Sequence, residues 1–226
     1  MPYIDYEKVD LKTKAKLDEF YEKSYKGYWA KKRIFDIVFA GLLLLVSLPF
    51  LLIIALIIYI DDPKGSPIFK QTRVGRHGEE FCMYKFRTMR VNAEELLDSL
   101  KDKNEMDGPV FKIKNDPRIT RVGHILRKTA LDETLQFINV LKGDMTMVGP
   151  RPPLPREVDL YSDYHKLRLM VTPGITGAWQ IHPNRNDIPF EKWMEMDLDY
   201  ILNRSFKYDF KIIFKTPWVM ITATGR

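Results

Sequence analysis

Two adjacent carboxylates, Asp132 and Glu133, stand in a stretch rich in cations. Arg118, Arg121, Arg127 and Lys128 precede them and Arg151 follows. If Thr129 is a helix N-cap, both acids fall in the first turn of a helix. Its apolar residues would be Leu131, Leu135, Ile138 and Leu141, at helical spacing, with Gly143 as the stop. Two readings are open. In the commoner one the acids favour the positive end of the helix dipole and do nothing else. In the other, carboxylates beside arginines at a helix N-terminus hold a divalent cation together with phosphate oxygens. A carboxylate held there can also attack phosphorus and form an acyl phosphate.

Three further segments have chemical character. Val148-Gly149-Pro150-Arg151-Pro152-Pro153 fixes an arginine between prolines, either as a pre-positioned donor or as a stiff surface turn. Thr172-Pro173-Gly174-Ile175-Thr176-Gly177-Ala178-Trp179-Gln180 could receive a nucleobase or sugar beside the Trp179 ring, or could be a buried loop anchored by it. Asn184-Arg185-Asn186 adds hydrogen-bonding capacity. Upstream, Ile68–Met89 reads as a β-hairpin turning at Gly75–Gly78 and carrying Arg73, Arg76, Lys85 and Arg87. Ala93–Asn104 reads as a charged helix.

The elements that position these residues have an unusual neighbour. Ile37–Ile60 contains no charged residue and would span roughly 36 Å as a helix, enough for a ~30 Å hydrocarbon core. Pro49, two residues after Ser47, breaks it into halves too short to cross alone. Basic residues flank both ends: Lys26, Lys31, Lys32 and Arg33 before, Lys64, Lys70, Arg73 and Arg76 after. The positive-inside rule expects an excess on one side. A bent segment returning to the same leaflet and a straight span are both open on these grounds, the former favoured. Residues 5–29 mix charge and aromatics at helical spacing, as an interfacial helix or as one packed on the domain. Near the C-terminus, Phe206, Phe210, Ile213 and Phe214 share one side of a helix, with lysines on another and Trp218 beyond.

Composition agrees with a membrane-associated globular protein. The 226 residues are 45% hydrophobic and 29% charged, which excludes general disorder. The mean hydropathy of -0.26 excludes a polytopic membrane protein. The net charge of +6 points to anionic partners such as phosphates, nucleic acid or an anionic membrane. The single cysteine, Cys82, excludes an internal disulfide framework. No nucleic-acid motif is present, and the cations surround the acids instead of forming a stripe. A membrane-anchored adaptor is the rival class.

Taken in order, several of these motifs resemble the bacterial sugar transferases of the monotopic phosphoglycosyl transferase family. The markers are Lys32-Arg33-Ile34-Phe35-Asp36, Tyr84-Lys85-Phe86-Arg87-Thr88-Met89, Leu131-Asp132-Glu133, Leu141-Lys142-Gly143-Asp144-Met145, Gly149-Pro150-Arg151-Pro152 and Pro173-Gly174-Ile175-Thr176-Gly177. The resemblance covers Trp29 to the C-terminus. It implies transfer of a sugar 1-phosphate from a UDP-sugar to undecaprenyl phosphate, with UMP released and Mg²⁺ required. It implies Asp132 as nucleophile, Glu133 assisting with metal or acceptor, and Arg127 and Arg151 on phosphate oxygens. Lys85 and Arg87 are carried over as further phosphate ligands. Thr176, Gly177, Trp179, Gln180, Asn184 and Arg185 are carried over as nucleotide or sugar contacts, with a hexose weakly favoured as the sugar.

It also implies a re-entrant helix broken at Ser47/Pro49, although the family's adjacent Ser-Pro pair is split here by Leu48. The active site would face the cytoplasm at the bacterial inner membrane, serving capsule, exopolysaccharide or O-antigen assembly. The chain reads as the minimal catalytic form, and a homodimer is compatible with it. The expected fold is α+β and mostly helical: an amphipathic segment over 1–30, the re-entrant membrane helix over 31–62, and a catalytic domain over 63–226 containing interfacial helices and a small β-hairpin.

Overall fold

A computed structural model describes residues 9–23, 27–105, 108–111, 113, 115–183 and 187–222. The fold is mostly helical, with two small two-stranded sheets. Helix α1 (Leu11–Glu22) starts at Asp10, whose carboxylate accepts from Thr13 N at 3.0 Å. It packs on the protein through Leu17 and Phe20 and leaves Leu11 in solvent. This is the packed reading of the N-terminal segment.

Helix α2 (Tyr28–Asp61) follows as a single 34-residue helix. Only 17% of its most apolar stretch is buried, too little for the core helix of a soluble domain. Leucines, isoleucines and Phe50 project outward along its middle. The helix is continuous through Pro49, so the expected break into two helices is not seen as an interruption. Ser47 Oγ donates to Leu44 O at 3.2 Å, one turn before the proline.

Both ends of α2 are tied to the same globular body. Its last turn meets the hairpin of β1 (Ile68–Val74) and β2 (Glu80–Phe86), paired antiparallel from Ile68↔Phe86 to Val74↔Glu80. There the Arg87 guanidinium donates to Asp62 Oδ2 at 2.6 Å and to Gly65 O at 3.1 Å. The expected helix over Ala93–Asn104 is instead a series of turns and a 3₁₀ helix at Asp98–Lys103. Among its described side chains only Ala93 and Leu100 are buried, so little apolar packing supports a short helix there.

Helix α3 (Arg121–Thr129) is capped by Thr120, not started at Thr129. Thr129 is its last residue, and its hydroxyl donates back to Ile125 O at 2.9 Å. Ala130 then takes a left-handed conformation (φ 52°), and Leu131–Glu133 form a 3₁₀ turn. Helix α4 (Gln136–Lys142) comes next and ends at Gly143 (φ 99°), as expected. The acidic pair therefore lies in a tight turn between two helices, not in the first turn of one. A residue in the left-handed region cannot continue α3, so the chain is redirected at the acids.

Strand β3 (Thr146–Val148) pairs in parallel with β4 (Gly174–Thr176). Between them run short helices α5 (Pro155–Val158) and α6 (Asp163–Lys166), and after them come α7 (Phe190–Asn203) and α8 (Phe206–Thr222). On α8, Phe210, Phe214 and Trp218 are exposed. The N-terminal part of α2 inserts against β3 and α8. Lys32 Nζ lies 3.3 Å from Asp209 Oδ2 and 3.7 Å from Asp36 Oδ1, all three residues being buried. Asp36 also accepts from Met147 N at 3.1 Å, and Arg33 donates to Leu141 O at the end of α4.

Removing Lys32 would leave two buried carboxylates without their cation, which costs about 3–5 kcal/mol. Lys32→Met is expected to destabilise by that order in urea unfolding of detergent-solubilised protein, whereas Lys16→Met, in an exposed i,i+3 pair, loses less than about 1 kcal/mol. Equal losses would show that the buried cluster is not an anchor.

Candidate active site

The 3₁₀ turn brings Asp132 and Glu133 against the hairpin. Lys85 Nζ, from β2, lies 2.8 Å from Glu133 Oε1. Asp132 is buried, and among the described residues its carboxylate has no lysine or arginine within ion-pair distance. Burial, with Glu133 beside it, pushes the Asp132 carboxyl up to about 6; the nearby Lys85 and Arg127 charges oppose this. Burial acts on Glu133 in the same direction, but Lys85 outweighs it, helped by Arg151 and Arg73, so its carboxyl falls below the ordinary range. The two acids are thus unlike: Glu133 is a fixed anion, and Asp132 is the more basic, unpaired carboxylate.

A small open cleft lies beside Glu133, lined by Arg73, Lys85, Glu133, Gln136, Arg151 and Gln180 among others; Asp132, the preceding residue, is not part of its lining. The Arg151 guanidinium has no hydrogen bond or ion pair among the described residues. Arg73, absent from the expected ligands, is 4% exposed and bonds only neutral oxygens: Gln71 Oε1 at 2.7 Å and Pro152 O at 2.9 Å. Burial, then repulsion by Arg151, lowers its guanidinium to about 9. A buried cation paired with no carboxylate is costly unless an anion arrives. The sequence signal for Arg73 was its alternation with Gln71 on one face of the hairpin, which names a face but not a cleft.

The other expected residues separate. Arg127, at the end of α3, does not line the cleft but stays within electrostatic reach of Asp132, its Nε donating to Thr88 Oγ1 at 2.9 Å. Arg87 is held at the exit of α2 and does not line the cleft. Trp179 stacks on Trp193 at 4.1 Å between centroids and is buried in an aromatic cluster, which is the anchoring reading of that loop. The Thr176 hydroxyl bonds Thr216 on α8 at 2.8 Å. Gly177 lies against Gly149 O. Gln180 reaches the cleft. Asn184 and Arg185 lie outside the described residues. Arg118 is spent on Asp116, to which its guanidinium donates two bonds.

A carboxylate in the cleft lining with a second one adjacent in the chain, beside Lys85, Arg73 and Arg151, fits a phosphate-handling site. A hard divalent cation such as Mg²⁺ also fits the donor set, because it needs only one or two carboxylates and completes its shell with water and substrate phosphate oxygens. Among the described residues no cluster of three or more metal-ligating side chains exists, so an all-protein metal cage is not offered.

The cleft wall depends on a close backbone approach. A Cβ on Gly174 would lie 2.1 Å from Gly149 N. Gly174→Ala is expected to displace the Arg151 segment, lowering activity by at least ~10-fold and stability by about 1–3 kcal/mol. Gly41→Ala, whose Cβ would meet only Leu141 Cδ2 at 3.8 Å, changes either by little. Thermal melts and turnover of the two variants check this, and a neutral Gly174→Ala would contradict the packing argument.

The bacterial sugar transferase family profile matches residues 27–223. The chain is 44% identical over 204 residues to "Galactosyl transferase CpsE" of Streptococcus agalactiae, covering 90% of this chain and 45% of that protein. It is 42% identical over 201 residues to "Undecaprenyl-phosphate galactose phosphotransferase" of Salmonella typhimurium, covering 86% and 41%. Against "Exopolysaccharide production protein ExoY" of Rhizobium meliloti it is 40% identical over 199 residues, covering 86% and 87%. The chain thus spans less than half the length of the first two relatives and most of the third. With the profile running from the first turn of the apolar helix to the end of α8, the chain belongs to the bacterial sugar transferase family.

Proposed function

We propose that this protein transfers a sugar 1-phosphate from a UDP-sugar to undecaprenyl phosphate and releases UMP. The observation that carries the reading is a buried Asp132 carboxylate without an ion pair among the described residues, next in the chain to Glu133, which lines a cleft whose Arg73 and Arg151 guanidiniums lack anions. Asp132 attacks the β-phosphorus of the donor. The bond from that phosphorus to the bridging oxygen breaks, and UMP leaves with the oxygen. A phosphosugar-aspartyl intermediate remains. A phosphate oxygen of undecaprenyl phosphate then attacks the same phosphorus, and the Asp132 carboxylate leaves. Splitting the transfer lets donor and acceptor use one cleft in turn.

Positioning and charge neutralisation dominate phosphoryl transfer. Arg73, Arg151 and Lys85 supply both, while Lys85 holds Glu133 in a fixed place. Asp132 and Glu133 would hold Mg²⁺, which when bound spreads the phosphate charge further. A hexose such as galactose or glucose is the favoured sugar, in keeping with the galactose in the printed names of two relatives. The product enters capsule, exopolysaccharide or O-antigen assembly.

The membrane arrangement proposed is monotopic, on the cytoplasmic face of the inner membrane. Arg33 and Asp62, near the two ends of α2, both bind the same body. A segment entering and leaving one leaflet, bent near Ser47 and Pro49, satisfies that constraint directly. Leu131, immediately before Asp132, and Ile125 on α3 are exposed apolar residues. A lipid-borne phosphate presenting its headgroup beside these two side chains would come close to the acids.

UMP release from a panel of UDP-sugars with undecaprenyl phosphate and Mg²⁺ in detergent tests the reading. Release with one sugar is expected, abolished by EDTA and reduced at least ~10³-fold by Asp132→Asn. Full activity of that variant would remove Asp132 as nucleophile, and binding to anionic vesicles without turnover would favour an adaptor.

A further inference from the structure

Pro150–Pro153 contains three prolines and so has almost no backbone N–H with which to anchor itself. It is held through its carbonyl oxygens, all four of which are engaged. Pro150 O accepts from Gly174 N at 2.8 Å and Pro153 O from Val74 N at 2.9 Å. Pro152 O accepts from Arg73 at 2.9 Å, and Arg151 O accepts from Arg168 Nη2 at 3.0 Å. Two donors belong to strands, and two are buried guanidiniums.

Arg168 differs from Arg73 in two ways. It does not line the cleft, and its charge is compensated. Its Nη2 lies 2.6 Å from Asp197 Oδ2, and its Nη1 donates to Tyr161 Oη at 2.8 Å. Arg168 is 5% exposed and Asp197 1%. Three partners around a planar fork leave it one orientation. The carbonyl it grips belongs to the residue whose own guanidinium stands unpaired in the cleft.

We propose that Arg168 is a positioning residue for the transfer reaction: through the Arg151 carbonyl it sets the main chain from which the Arg151 guanidinium meets substrate phosphate. The proposal rests on the transferase reading for its substrate. A core ion pair with no part in the reaction would look similar at rest, but it would not act through Arg151.

A double-mutant cycle separates the two. Arg168→Gln is expected to lower kcat/KM for the UDP-sugar about 30-fold in the wild-type background, and less than about threefold once Arg151 is Ala. Tyr161→Phe removes one of the three bonds and leaves the ion pair. It is expected to cost about threefold with Arg151 present and nothing measurable with Arg151→Ala. The same cycle read as UDP affinity by calorimetry needs no turnover. Equal fold-losses in both backgrounds, in either readout, overturn the proposal. Absence of UMP release from the unsubstituted protein counts against the transferase reading instead, and the UDP-affinity cycle still decides the role of Arg168.

Discussion

The buried charge cluster at the start of α2 is the constraint on which the rest depends. Lys32 sits between Asp36 and Asp209, and each aspartate also grips another part of the molecule. Asp36 accepts from Met147 N and from the Thr146 hydroxyl, both on β3. Asp209 accepts from the Tyr28 hydroxyl and lies 2.7 Å from Tyr200 Oη, which is also 2.9 Å from Val148 O. The long apolar helix, the central strand and the C-terminal helix meet at one ion cluster. Strand β3 then runs directly into Gly149–Pro153, so the cluster that anchors the apolar helix also fixes the origin of the segment bearing Arg151. An ion cluster placed this deep is costly to break, which makes the site and the apolar helix one mechanical unit.

The electrostatics of the cleft follow from a division of labour among its cations. Lys85 takes Glu133, Asp197 compensates Arg168, and Asp62 compensates Arg87. Arg73 and Arg151, which line the same cleft as Glu133, are left without a carboxylate. Such a site suits the diphosphate and phosphate groups of the proposed substrates. Burial keeps Asp132 more basic than an ordinary aspartate while it stays unpaired. A carboxylate of that kind is better suited to attack than its ion-paired neighbour.

Much of this was legible in the sequence, for identifiable reasons. The apolar run over Ile37–Ile60, the hairpin turning at Gly75–Gly78, the stop at Gly143 and the exposed aromatics of the last helix are local signals, and local signals survive folding. The setting of the acids was misread because Thr129 looks like a cap when only the following residues are considered. Thr120 caps the preceding helix, and a left-handed Ala130 supplies the turn. A non-glycine residue at positive φ leaves no mark in composition. The cations could be counted but not sorted. Whether Arg73, Arg87 or Arg118 faces a cleft depends on contacts such as Asp62 with Arg87, which the chain order does not reveal. Trp179 was open between a sugar platform and a core anchor, and Trp193, distant in sequence, places it in the core.

The central step of the proposed reaction is a covalent bond from Asp132 to the transferred phosphosugar. Intact-mass measurement of the protein incubated with a UDP-sugar and Mg²⁺, with the lipid acceptor withheld, tests this most directly. The prediction is a mass increase of one sugar phosphate, mapping to the peptide that contains Asp132 and discharged when undecaprenyl phosphate is added. Turnover in the presence of acceptor with no adduct in its absence would contradict the claim and indicate direct transfer between the two phosphates.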